Sequence, residues 1–327
     1  MNDELQQYPT IDIMNHLGEI GGNRASAGEG SESPAIYKEF EIMMQTTFKR
    51  LARAQPPGGG RGESGSDAGG GNKKRGGLLG GHSSPEECVE DMDRLGYKHI
   101  VVSATKMWSY YYHHKLIIDT PIEPIGEAIK STGGRIIGGG GYSAFDIGGS
   151  IAELERGVRE MGFKYIWFHP LSFGLPPNDR RFYPLYQKCM ELDIAVGMQV
   201  GHSAEVLPSD VGRPMLCDDV AIDFPHLRIN LSHTGWPWVD EWCSMLWRHP
   251  NVYGDISAYF PKSLDERQIR FMDSGRGRDK VLFGTNGLGL ERCKKEFLEL
   301  DIKEETKRAV LYDNAVQFLK LEDSQEG

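Results

Sequence analysis

Four histidines carry the first chemical signal in this chain. His16 in "IDIMNHLGE", His169 in "YIWFHP", His202 in "MQVGHSAE" and His233 in "INLSHTGW" each close, or just follow, a short apolar run. Neutral imidazole is the commonest nitrogen ligand of zinc and related divalent ions, and it moves protons near neutral pH. A lone histidine in such a place is more often a core or surface residue satisfied by hydrogen bonds. Four at equivalent positions point instead to one shared site, provided the fold gathers the ends of those runs. Asp12, Glu19 and Glu205 are the acidic residues placed to add an oxygen donor.

The elements that must do the gathering are eight β-rich runs: "TIDIMNHL", "HIVVSA", "RIIGGGG", "YIWFHP", "IAVGMQV", "RINLSH", "NVYGDIS" and "VLFGT". Most are separated by helical patterns, the alternation expected of a parallel (β/α)8 barrel, and their continuous apolarity suits strands buried on both faces. "SPEECVEDMDRLG" has Ser84 as N-cap, Pro85 at the first helical position and Gly96 at its end. "SIAELERGVREMG" likewise ends on Gly162. In a barrel the carboxyl ends of all strands share one face, so histidines far apart in sequence become neighbours.

One segment breaks the alternation. Residues 18–84 separate the first strand from the first barrel helix, where a βα connection normally takes roughly 2–6 residues. The stretch 56–81 is glycine-rich and too poor in apolar surface to offset its chain entropy, so a flexible surface loop or a lid over the barrel mouth is expected. The chain reads as one barrel domain over 1–327 carrying this insertion.

Bulk properties exclude several classes. A formal net charge of −10 argues against nucleic acid as a partner. No apolar run approaches the roughly 18 residues of a membrane span, and "MNDELQQYPT" has neither the basic nor the apolar part of a signal peptide, so a cytoplasmic protein is expected. The five cysteines are scattered and read as reduced thiols. No G-x-S-x-G elbow or dinucleotide fingerprint is present.

"IDIMNHLGE", "GFKYIWFHP", "FYPLYQKCMELDIAVGMQVGHSA", "FPHLRINLSHTGWPW", "HPNVYGDISAY" and "DKVLFGTNGLGL" together resemble successive strands of the amidohydrolase superfamily. The branch resembled is the amidohydrolase-related one that includes aminocarboxymuconate-semialdehyde, dihydroxybenzoate and γ-resorcylate decarboxylases. The resemblance runs from about Pro85 to Leu319 and implies a distorted (β/α)8 barrel with a divalent metal at the carboxyl ends of its strands, zinc foremost, with manganese or iron as alternatives. It implies metal ligation by His16 and His202 and, for His233, an acid/base role or a second metal; an alternative all-nitrogen set joins His169 and His233 to His16 and His202. Two positions depart from the family pattern. Met14 stands where a first metal histidine is usual, and Asn286 replaces the aspartate that closes the eighth strand; a thioether is a poor ligand for zinc or manganese, and an amide cannot act as a general base.

Two functional readings follow from that mixture. In the first, the chain is a metal-binding, amidohydrolase-related enzyme acting on a small organic substrate by hydrolase, decarboxylase or oxygenase chemistry. In the second, it is a catalytically degenerate partner of a paralogous barrel subunit, of the kind found in amine N-hydroxylases. A homo-oligomer accompanies the first reading and a hetero-oligomer the second. The aromatic run "KMWSYYYHHK" is a candidate pocket wall or oligomer contact.

Overall fold

The computed structural model describes residues 2–21, 37–43, 45 and 81–321. All eight expected strands form, and they assemble into one parallel sheet. In chain order they are β1 (Thr10–His16), β2 (Tyr97–Ser103), β5 (Ile136–Gly140), β6 (Tyr165–Phe168), β7 (Ala195–Gln199), β8 (Ile229–Ser232), β9 (Val252–Asp255) and β10 (Val281–Leu282). The sequence run "KMWSYYYHHK" supplies an unexpected element. Lys106–Ser109 (β3) and Lys115–Asp119 (β4) pair as an antiparallel hairpin beside the barrel. Trp108 from this hairpin lines a cavity of about 280 Å³ together with Lys106, Phe145 and Glu153.

Helix ends follow local sequence. Ser84 accepts a hydrogen bond from the Glu87 amide, Pro85 opens the helix Pro85–Leu95, and Gly96 ends it at φ 77°. Such a left-handed residue at a helix end favours glycine because there is no Cβ to clash. Gly162 ends Ile147–Met161 in the same way. Among the described residues no helix is long and apolar enough to cross a membrane. Of the expected insertion, residues 18–21, 37–43, 45 and 81–84 fall within the described residues, with the helix Lys38–Met43 among them; the glycine-rich stretch lies outside them, apart from Gly81.

Inside the barrel, Ile11, Ile13, Val101, Tyr165, Trp167, Ala195, Tyr253 and Leu282 form one apolar cluster, plugged at its base by Ala315 and Phe318 of the C-terminal helix Asn314–Leu319. Tyr165 and Trp167 on β6 keep the period of two that aims every second side chain inward, whereas on β1, where the pairing with β2 shifts register, Ile13 and Met14 both enter the cluster. A Cβ at Gly197 would collide with the Tyr165 hydroxyl, so the small residue on β7 makes room for the large aromatics of β6.

The sheet is paired by ladders from β1 round to β10, and the last seam is closed differently. Ile13 N–H donates to Phe283 O (3.0 Å) and Asn286 N–H to Met14 O (2.9 Å). Between them sits the buried carboxylate of Asp12. Its Oδ1 accepts from the amides of Met14 (3.1 Å) and Thr285 (3.0 Å), and its Oδ2 accepts from Thr285 Oγ1 (2.6 Å). Asn15 Oδ1 adds a bond from Gly287 N–H (3.0 Å). Burial raises the Asp12 carboxyl to about 7 against these donors. Asp12, an oxygen donor candidate for a metal, is thereby committed to holding the first strand to the last.

Truncating this latch is costly, because Asp12→Ala strips three donors of their acceptor in a dry seam. A loss of about 3 kcal/mol is expected, read as a lower urea midpoint at unchanged slope, whereas Asp12→Asn, which keeps one acceptor oxygen, should lose much less. Equal midpoints for Asp12→Ala and the parent chain would show that the seam does not depend on this side chain.

Candidate active site at the barrel mouth

Three of the four expected histidines meet around one indole. The Trp167 ring lies 5.1 Å from that of His16, 5.8 Å from His169 and 6.2 Å from His233. The three imidazoles come from the ends of β1, β6 and β8; His169 and His233 are buried and His16 is half-buried. Burial lowers His16 and His169 to about 4 and also lowers His233; their mutual repulsion works in the same direction, while Glu205 and Asp255 partly oppose it. All three rings are therefore neutral at pH 7.

His233 is the best prepared to act as a base. Beyond Ser232 the chain turns through three left-handed residues, His233 (φ 72°), Thr234 (φ 66°) and Gly235 (φ 67°). For a non-glycine residue that conformation is strained, and here neighbouring contacts hold it. Asp255, at the end of β9, accepts His233 N–H (3.1 Å), Ser257 N–H (3.0 Å), Asn230 Nδ2–H (2.7 Å) and the Ser257 hydroxyl. Since Ser257 spends its one proton on Asp255, its oxygen is left to accept from His233 Nδ1–H, at 2.6 Å. This assigns the proton to Nδ1 and leaves the lone pair on Nε2, for which no hydrogen-bond partner is found among the described residues.

His169 is wired in the opposite sense. It caps the short helix Pro170–Phe173, where its Nδ1 accepts from Ser172 N–H (3.0 Å). Nε2 must then carry the proton, and it faces Ser203 Oγ (3.0 Å), which donates in turn to Glu205. His16 Nδ1 meets the Thr105 hydroxyl at 2.8 Å. The buried donors near these rings without a partner among the described residues include Trp167 Nε1, Ser103 Oγ, Thr234 Oγ1 and Asn15 Nδ2.

His202 stands outside this group. It is exposed, lies between Trp236 (5.1 Å) and Trp238 (5.8 Å), and its Nδ1 meets Ser209 Oγ (2.6 Å). The last residue of β7 is the buried Gln199, paired in register with Ser232, and the chain has already left the sheet three residues later. Alternation along β7 puts Ala195, Gly197 and Gln199 on one face, a signal that would have favoured Gln199 over His202 at the strand end. Ser257 and Ser203 also escaped sequence reading, although each lies two residues from its acid partner, in "DIS" and "SAE".

These residues depart at several positions from the metal shell implied by the family resemblance. Met14 is fully buried in the barrel's apolar cluster. Asn286 sits at φ 50° and gives its amide to the seam. His169 offers a protonated Nε2, and His202 has other contacts. Among the described residues the four imidazoles belong to no group of three donors lying within 4.8 Å of one another.

Comparison with known proteins agrees with this geometry at the level of fold and family. A curated relative, 2-keto-4-carboxy-3-hexenedioate hydratase of Sphingobium sp., is 28% identical over 206 residues, which is 52% of this chain and 60% of the hydratase. An uncharacterized TIM-barrel protein from Bordetella bronchiseptica superposes with a TM-score of 0.71 at 23% identity, over 95% of this chain and 98% of that one. The 5-carboxyvanillate decarboxylase of Novosphingobium aromaticivorans, solved with manganese and 4-hydroxy-3-methoxy-5-nitrobenzoic acid, superposes with a TM-score of 0.58 at 18% identity, over 97% of both chains. Residues 74–321 match the family model described as amidohydrolase, and the chain belongs to that family.

Proposed function

We propose that this chain is an amidohydrolase-family enzyme of lyase type, which decarboxylates or hydrates a small aromatic or unsaturated carboxylic acid with His233 moving the proton. The observation that carries the reading is the His233, Ser257, Asp255 relay, which leaves the Nε2 lone pair without a partner among the described residues. Its support from relatives is chemical. Hydration of a keto acid and decarboxylation of a hydroxybenzoate both need one proton moved at or beside an unsaturated carbon, and a neutral imidazole can give or take it. Trp167 Nε1–H and Ser103 Oγ–H, both buried and without a partner among the described residues, are suited to receive an acidic oxygen of the substrate. Proton uptake at Nε2 makes an imidazolium, which Ser257 stabilises because Asp255 polarises its hydroxyl. His169, protonated on Nε2 and engaged with Ser203 and Glu205, holds the neighbouring wall. No step is routed through a metal; the manganese bound in the similar 5-carboxyvanillate decarboxylase supports a divalent ion at this mouth, where His16, His169 and His233 are the residues that would hold it.

Turnover of a panel of hydroxybenzoates and unsaturated keto acids, followed by ultraviolet absorbance, tests the reading. His233→Ala should lower kcat by roughly 10²–10⁴, and Ser257→Ala should lower it less with KM nearly unchanged. Full activity of His233→Ala on a substrate the parent chain turns over would remove His233 from the chemistry. Because a base works only when unprotonated, and burial holds His233 below its usual range, the acid limb of kcat/KM should lie below pH 6.5.

Nuclear magnetic resonance of the histidine rings gives a second check. His16 and His169 should remain neutral from pH 7 to pH 5 and protonate only near pH 4. In the unfolded chain they protonate near 6.5, so these two groups withdraw stability as pH falls from 6.5 toward 4 and their contribution is complete above 6.5. Ring titration near 6.5 in the folded protein would show the site open to bulk water.

A further inference from the structure

A second cluster of donor side chains lies away from Trp167, where the insertion leaves and rejoins the barrel. Glu19, His82 and Cys88 are all buried, and one ligand atom from each lies within 4.8 Å of the other two. Donors of a tetrahedral zinc shell, with bonds of about 2.0–2.3 Å, are spaced by roughly 3.3–3.8 Å, so modest inward rotations would bring these three to bonding distance. His82 Nδ1 is 3.2 Å from Glu19 Oε1 and 3.2 Å from the Glu19 carbonyl oxygen.

The other face of the same ring supplies an independent observation. His82 Nε2 is 3.4 Å from Asp91 Oδ2, and Asp91 is itself held by Arg94, whose Nε lies 2.8 Å from Oδ1. A carboxylate behind an imidazole, fixing which nitrogen bears the proton and leaving the other to coordinate, is the recurring support of metal-bound histidine. The backbone is equally constrained. His82 N–H donates to Glu19 O (2.8 Å), and a Cβ at Gly81 would collide with the backbone of Gly18 and Glu19. Residues 22–80 contain neither histidine nor cysteine, so no other imidazole or thiol in the insertion competes for an ion.

We propose that Glu19, His82 and Cys88 bind one divalent ion of zinc type, with Asp91 supporting the imidazole, and that this site clasps the two ends of the insertion to the helix Pro85–Leu95. Zinc suits a mixed oxygen, nitrogen and sulfur set, and the Glu19 carbonyl or a water completes four ligands. A dipositive ion with one thiolate and one carboxylate leaves the site neutral, as Arg94 does for Asp91. Binding displaces the Cys88 thiol proton and the proton on His82 Nδ1 to solvent. The competing state is a metal-free imidazolium. Burial works against that charge, but contacts with Asp91, Cys88 and Glu19 outweigh it and push His82 up to about 12.

Elemental analysis of the full chain, purified without chelator and dialysed after incubation with zinc, should find about one equivalent of metal. Cys88→Ser and His82→Gln should each lose it, while His233→Ala keeps it. Replacement by cobalt in the parent chain should give a thiolate-to-cobalt charge-transfer band, a measurement that does not depend on a variant folding. Absence of that band, metal-free protein after zinc incubation, or metal retained by Cys88→Ser would each overturn the clasp. Metal lost from His233→Ala but kept by Cys88→Ser would place the ion at the barrel mouth instead.

Discussion

A sheet of eight parallel strands gathers its carboxyl ends only if its two edges meet, and here that closure rests on a buried carboxylate. No ladder joins β1 to β10. Two backbone hydrogen bonds and Asp12 span the gap, with Asp12 reaching Thr285 from a position two residues before Met14. An open parallel edge would leave amide and carbonyl groups dry and unpaired, which is the cost that barrel closure removes. Everything at the mouth inherits its position from this seam. His16 lies four residues past Asp12 on the same strand, and Asn286 is the next residue after Thr285.

The closed rim then decides what the histidines can do. Burial makes each ring neutral, and hydrogen bonds decide which nitrogen keeps the proton. A backbone amide takes the lone pair of His169 Nδ1, whereas a serine hydroxyl already committed to Asp255 takes the proton of His233 Nδ1. Two rings with similar burial thus hold opposite tautomers, one spent on structure and one available for proton transfer. Where the family pattern has a carboxylate at the end of the last strand, this chain has a neutral amide, and the carboxylates near the rings act through hydroxyl groups.

Barrel and insertion are joined at a second buried polar cluster, in which Glu19 and His82 bracket the segment absent from the common βα pattern. Ordering the ends of so long a connection costs less entropy when they are already in contact. The pairing of His82 with Glu19 through both backbone and side chain sets those ends side by side, and Asp91 and Cys88 fix them against the first barrel helix.

Local chemistry was legible in the chain itself. The eight strands, the caps at Ser84, Gly96 and Gly162, and the placing of His16, His169 and His233 at strand ends follow from patterns a few residues long, because hydrophobic period and capping act over one or two turns. Contacts between segments were not legible. His202 and Gln199 differ by three positions; alternation hints at Gln199, and the register of β7 against β8 shows that Gln199 ends the strand while His202 lies exposed beside Trp236. Likewise the proton position on His233 depends on Ser257, brought by the loop after β9, whereas His169 has its Nδ1 set locally by Ser172 and only its Nε2 meets a residue from another strand, Ser203. The linear order of residues determined that His16, His169 and His233 end strands and that His169 caps a helix by accepting from the Ser172 amide; three-dimensional packing decided that His202 stands apart and which nitrogen His233 presents, since that tautomer is chosen by the Ser257 the fold places beside it.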